Sequence, residues 1–193
     1  ENGKGKTNFL EAIYTLSLGR SFRSLKRDDL VNWDADFMRC KCQTVSDDEE
    51  QNLEVFYAKK PTIKKNFKRN EVNLKNSEFL GNLLTVLFHP EDLNMLYLSP
   101  SFRRRYMDII LSQTDKSYLQ ALSKYRRVMK QRNALLYDIR DAKFKGKDIL
   151  ELEADLDAWD FQIVELGREI VQKREGLIEF LKEKLLKIYQ TIS

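Results

Sequence analysis

Histidine occurs once in these 193 residues, at His89, and cysteine only twice, at Cys40 and Cys42. A zinc or iron centre built on imidazole and thiolate needs more ligands than these, so that class of metal chemistry finds no support. The cysteines stand two apart in a strand-like stretch, where they share a face but are poorly placed to bridge each other. They read as reduced thiols of a cytosolic protein. Long apolar runs are missing as well. The longest, around residues 83–88, is far too short for a bilayer, and no signal-peptide pattern stands at the first residues. A soluble globular chain remains, 42% hydrophobic, able to bury one good core or two modest lobes.

Charge is plentiful but unevenly placed. The chain carries 34 basic and 30 acidic residues. Residues 1–98 hold 15 of each, residues 99–147 hold 13 basic against 4 acidic, and residues 148–193 hold 6 basic against 11 acidic. A basic segment of this kind points to a polyanion partner, partly offset by the acidic segment that follows it. The candidate contacts to such a polyanion are Arg103, Arg104, Arg105, Arg126, Arg127, Lys130, Lys143, Lys145 and Lys147, which become DNA contacts under the resemblance given below. The alternative use of the three consecutive arginines is local ion pairing around a core-facing Phe102 and Tyr106.

The first residues, ENGKGKTN, carry the clearest chemistry. Gly5, Lys6 and Thr7 supply the last three positions of the phosphate-loop pattern G-x-x-x-x-G-K-[ST] if one glycine precedes Glu1. The chain is therefore expected to begin inside a motif and to be part of a longer protein. In such a loop backbone N–H groups curl round a phosphate, which Gly3 and Gly5 permit, while the lysine reaches the β/γ-phosphates and the threonine hydroxyl serves Mg²⁺. Phe9, Leu10, Ile13 and Leu16 recur at helical spacing, so the loop opens a helix whose N-terminus favours an anion. The following segment, with Arg20, Arg23, Lys26 and Arg27, reads as a loop returning toward the nucleotide or facing a partner.

Period-two alternation then predicts strands in DFMRCKCQTV and NLEVFYAKK, separated by an acidic turn SDDEEQ, and a ribbon in TIKKNFKRNEVNL broken at Arg69–Glu71. A short helix is expected over 76–83 and a buried strand at LLTVLF, bounded by Pro90. From Ser99 and Pro100 a helix runs to about Gln113. Two matched stripes follow: Tyr118, Leu122, Tyr125, Met129, Arg132, Leu136 and Ile139, then Ile149, Leu152, Leu156, Trp159, Ile163, Leu166 and Ile170. Joined by a short glycine-containing connector, they predict an antiparallel helical hairpin with seams of about 32 Å. Leu177, Leu181, Leu185, Ile188 and Ile192 continue the apolar face. The fold class is thus α+β: a truncated α/β phosphate-loop lobe with antiparallel strands over 1–98, and a helical lobe containing the long hairpin over 99–193.

This order resembles the ABC-type ATPase heads of SMC and Rad50 proteins, and three blocks resemble the RecF family more narrowly. They are ENGKGKTNFLEAIYTLSLGRSFR (1–23), VLFHPEDLNMLYLSPSFRRRYMDIILSQ (86–113) and YLQALSKYRRVMKQRNALL (118–136). The resemblance implies an ATP- and Mg²⁺-dependent DNA-binding recombination mediator of DNA repair and replication. It would dimerise head to head with ATP on duplex or gapped DNA, hydrolyse ATP slowly under DNA stimulation, and load recombinase with RecO- and RecR-type proteins. Asn2, Gly3, Lys4, Gly5, Lys6, Thr7 and Asn8 match the family's phosphate loop, with Thr7 as the magnesium residue. Where related heads place a glutamine that touches Mg²⁺, this chain has HPEDL at 89–93, so Glu91 or Asp92 would stand in its place unless both simply cap a helix. No signature serine-glycine-glutamine segment and no acidic Walker B pair occur before Ser193, so these residues alone are expected to be inactive as an ATPase. The rival reading from another class makes the hairpin a protein-interaction module. A kinase-like reading lacks an acceptor site and a catalytic acid near the loop.

Overall fold

The computed structural model describes residues 5–24, 26–46 and 49–192. The chain divides into two compact units, Glu1–Phe102 and Arg103–Ser193. The first unit starts with helix α1 (Lys6–Leu18), followed after a 3₁₀ turn at Arg27–Leu30 by strands β1 (Phe37–Ser46), β2 (Glu49–Ala58), β3 (Lys64–Arg69) and β4 (Val72–Leu74). These form one antiparallel sheet in sequential order. Alternation decides its two faces, since side chains point to opposite sides at every step. Leu53, Val55 and Phe67 face inward and close with Leu16 of α1 and Phe79 into the core, against which Met38, Cys40 and Cys42 pack. Both thiols are free, and burial first of all pushes them up, which keeps them protonated.

The acidic stretch expected as a turn is mostly ladder: Thr44, Val45 and Ser46 pair with Gln51, Glu50 and Glu49. A charged hairpin end tolerates strand pairing because its outer side chains stay in water, and Gln43 Nε2 donates to Glu50 Oε2 at 2.8 Å. The break at Arg69–Glu71 is a two-residue turn in which Asn70 and Glu71 both adopt positive φ, 49° and 64°, the geometry that matches strand twist. Asn70 Oδ1 accepts from the Asn52 backbone N–H at 2.8 Å.

Gly19 fastens α1 to the sheet. It ends the helix in the left-handed region, its N–H donating to Thr15 O at 2.8 Å, and its carbonyl accepts from Lys65 Nζ at 2.6 Å. Lys65 also lies over the Phe67 ring, 4.7 Å from its centroid. Burial, then the charges of Arg27 and Arg20, lower its pKa from 10.5 to about 8. The unfolded chain therefore binds a proton between pH 8 and 10.5 that the folded one lacks, so stability rises with pH across that window. Chemical denaturation at pH 8 and pH 10 is expected to detect this rise, and Lys65→Met to flatten it.

Two expectations are corrected. The helix predicted over 76–83 is the single turn α2 (Asn76–Phe79), and LLTVLF, residues 83–88, forms no strand. A strand exists only by pairing, and no neighbouring strand flanks this segment among the described residues. It is tied to α1 instead, with Ser17 Oγ donating to Leu83 O and Thr85 Oγ1 donating to Ser17 Oγ, both at 2.8 Å. Val86 is fully exposed. A 3₁₀ turn at Pro90–Leu93 and helix α3 (Asn94–Tyr97) lead into α4 (Pro100–Thr114).

In the second unit α5 (Lys116–Phe144) and α6 (Leu150–Ile192) pack as a hairpin. Tyr118, Ala121, Leu122, Leu111 of α4 and Ile170 form its core, with Tyr125, Leu166 and Leu177 against it. The stripe on α5 drifts from the expected one at its middle. Val128 is buried and Leu136 is exposed, because a straight helix slips against a strict seven-residue repeat. Arg132 pairs with Asp160 across the hairpin, Nη2 to Oδ2 at 3.3 Å. At the hairpin root Asp108 receives Arg174 Nη2 at 2.7 Å, Arg126 Nη2 at 3.2 Å and the Tyr118 hydroxyl. Burial, then Asp108, pushes Tyr118 up to about 12. Asp108→Ala would leave Arg174 and the wholly buried Tyr118 without their acceptor. The loss expected on thermal denaturation is about 2 kcal/mol, while Arg126→Ala, whose side chain is 66% exposed, should change little.

Candidate nucleotide site

Asn2, Gly3 and Lys4 lie outside the described residues. Gly5 caps α1 in the left-handed conformation, φ 78°, where a side chain would be strained, and a Cβ there would meet open space. Its carbonyl accepts from the Phe9 N–H at 3.0 Å. Lys6, Thr7 and Asn8 fill the exposed first turn. Among the described residues no side chain caps this helix end, and no acid stands in its first turn. The N–H groups of that turn and the positive end of the helix dipole therefore stand open to an anion, with an ammonium and a hydroxyl beside them. These donors fit a phosphate tail with its magnesium. Lys6 would neutralise phosphate charge, and Thr7 would offer oxygen to the ion.

The arginine-bearing loop does return to this end of α1. Arg23 Nη1 donates to Asn8 Oδ1 at 3.1 Å and lies 3.4 Å from Glu11 Oε2. Ser21 donates to Glu11 and accepts the Arg23 and Ser24 N–H groups at 2.9 and 3.2 Å. Sequence reasoning placed Arg23 in the right loop but had no signal for Glu11, which holds it. A recess of about 400 Å³ opens beside these residues, bordered by Asn8, Glu11, Arg23, Asn32 and Trp33. Trp33 is 96% exposed, and Lys59 Nζ donates to the carbonyls of Asn32 and Trp33 at 3.2 and 3.4 Å.

Glu91 sits exposed on the 3₁₀ turn, with its backbone N–H donating to His89 Nδ1 at 3.3 Å. Among the described residues no hydrogen bond or ion pair links it to residues 6–8. Asp92 accepts from the His89 N–H at 2.8 Å and so caps the turn, the plainer use of these acids. No group of three or more His, Cys, Asp or Glu side chains able to hold a metal occurs among the described residues.

The basic candidates separate into a root and a tip. Arg103, Arg104 and Arg105 are exposed on the first turns of α4, and Arg126, Arg127 and Lys130 lie within five residues on α5. Arg126 is engaged by Asp108. At the tip Lys143 pairs with Glu153 at 3.4 Å and Lys145 with Asp141 at 2.6 Å. Arg127, Lys130 and Lys147 make no ion pair among the described residues. About thirteen residues of helix, some 20 Å, separate Lys130 from the tip. No described helix is long and apolar enough to cross a membrane.

No protein-family profile matches the chain. Among curated proteins it is 37% identical over all 193 residues to the DNA replication and repair protein RecF of Thermoanaerobacter sp. (strain X514), of which it covers 51%. It is 38% identical over 194 aligned positions to the RecF of Bacillus thuringiensis (strain Al Hakam), covering 49% of that protein. A solved structure of the recombination mediator protein RecF with ATP, from the RecFOR pathway, superposes on the whole chain with a TM-score of 0.89 at 35% identity, covering 50% of that protein. The chain spans about half the length of these relatives. Likeness in sequence and in fold to these RecF proteins extends over the whole of this chain and about half of each of theirs.

Proposed function

We propose that this chain is the part of a RecF-type recombination mediator that grips the phosphates of ATP and presents a basic helical surface to DNA. The observation that carries the reading is the open end of α1, where left-handed Gly5 delivers Lys6 and Thr7 beside uncapped N–H groups. The relative solved with ATP supports ATP as the nucleotide. The recess next to Arg23 and Trp33 would take the rest of the nucleotide, and Thr7 would serve Mg²⁺. In the complete protein, nucleotide would drive a head-to-head dimer on duplex or gapped DNA, slow hydrolysis, and work with RecO- and RecR-type partners in replication and repair.

DNA contact falls to Arg104, Arg105, Arg127, Lys130 and Lys147, which are exposed and pair with no acid among the described residues. Filter binding of a duplex to the full-length protein with ATP and Mg²⁺ is expected to weaken with salt at a log–log slope of about −4 for four to five neutralised phosphates. Reversing Arg127 and Lys130 to Glu should lower both affinity and slope. A slope near zero would leave the hairpin as a protein-interaction module. That second reading is favoured by a recess of about 490 Å³ between α5 and α6, bordered by Val128, Trp159, Phe161 and Leu166.

A further inference from the structure

The outward face of the sheet carries a pattern that neither the nucleotide nor the hairpin uses. Register sets its side chains in cross-strand rows. The first is Phe37–Ala58–Lys64, the second Arg39–Phe56–Asn66, and the third Lys41–Glu54–Lys68. Rows lie about 6.8 Å apart, two residues along each strand. Phe37 and Phe56 have ring centroids 5.6 Å apart, and the Arg39 guanidinium stands over the Phe56 ring at 5.3 Å. Phe37 is 53% exposed although it packs against a neighbouring ring.

Charge on this face favours an anion. Glu54, buried, is held between Lys41 at 2.8 Å and Arg39 at 3.7 Å, and Glu71 by Lys68 at 3.1 Å. Three cations thus meet two acids, and both acids are already engaged. Lys64, beside the aromatic row, pairs with no acid among the described residues. The three rows expose no aliphatic side chain, since Ala58 is buried. A protein partner seeking apolar burial finds little here beyond two aromatic rings. Flat aromatic and guanidinium surfaces flanked by lysines suit unstacked bases linked by phosphates.

We propose that this sheet face binds single-stranded DNA, one base stacking on Phe37 and the next on the Phe56–Arg39 pair, with Lys64, Lys41 and Lys68 against the backbone. The inference rests on the nucleic-acid reading above but names a separate surface. A duplex has its bases stacked inward and cannot use it. The site therefore sorts a strand from a duplex.

The test is fluorescence anisotropy of a labelled oligothymidine, and of a duplex of equal length, with the full-length protein. Phe37→Ala is expected to weaken oligothymidine binding about ten-fold, as loss of one stacking ring does, and to leave duplex binding unchanged. Phe37→Tyr should restore it, and Lys64→Glu should weaken it and flatten its salt dependence. Position 37 begins its strand and is half exposed, so folding survives, which melting curves check. Substituting 5-iodouracil into the oligonucleotide should crosslink to Phe37 or Phe56. Wild-type oligothymidine affinity in both Phe37→Ala and Lys64→Glu, or crosslinks only elsewhere, would overturn the proposal. Loss of duplex binding in Arg127→Glu with oligothymidine binding intact would support it, and duplex binding that never depends on ATP would count against the earlier reading alone.

Discussion

Gly19→Ala is expected to destabilise the sheet-bearing unit by about 3 kcal/mol. Two costs add. Gly19 sits at φ 65°, where an L-residue with a Cβ loses roughly 1 kcal/mol or more. A Cβ there would also stand 2.7 Å from Phe67 Cε1, 2.9 Å from Phe67 Cζ and 3.2 Å from Asn76 Oδ1. Phe67 cannot yield cheaply, because it is packed against Phe79 at 4.9 Å between ring centroids and closes the core with Leu53 and Val55. Overpacking of this kind costs about 1–3 kcal/mol. A shift in melting temperature of roughly 10–20 °C would follow for a unit of this size. The same substitution in a Phe67→Leu background should cost less than the sum of the two single changes, since the smaller side chain removes the overlap.

Local regularities were legible in the sequence, and pairings between distant segments were not. Ser99 and Pro100 announced α4, and the stripes from Tyr118 and from Ile149 announced α5 and α6, because helix periodicity is written in neighbouring residues. Alternation announced β1, β2 and β3 for the same reason. The strand expected around LLTVLF failed because its hydrogen bonds depend on a neighbour that no local pattern reveals. The hairpin reaching into Glu49–Gln51 was hidden by acids that strands usually avoid but that an exposed end accepts. At the candidate site, Gly5, Lys6 and Thr7 could be read from spacing alone. Arg23 returning to Asn8 and Glu11 could not be placed, nor could Arg174 meeting Asp108 and Tyr118, since each joins residues ten or more positions apart. The sheet-face rows were equally hidden, because register decides which of Phe37, Phe56 and Lys64 become neighbours.

Lys6→Ala is the second large effect, and it acts on binding rather than folding. Lys6 is exposed in the first turn of α1 and packs against nothing in the core, so its removal should leave the melting temperature within about 1 °C, the size expected for an ordinary surface substitution. Its ammonium would instead meet phosphate oxygens at the positive end of a helix. Charge-assisted hydrogen bonds of that kind are worth about 1.5–3 kcal/mol, which corresponds to roughly ten- to hundred-fold in affinity. Asn8→Ala should act more weakly, since it removes one acceptor of Arg23 and leaves Glu11 to hold it.

Isothermal titration of Mg²⁺-ATP into the full-length protein and into its Lys6→Ala variant puts the phosphate-gripping role of the α1 N-terminus to the most direct test. Saturable binding by the unaltered protein, weakened at least ten-fold by the substitution with no loss of fold, is the expected result. Equal ATP affinity in the two proteins, or no binding by the unaltered protein at millimolar nucleotide, would contradict it.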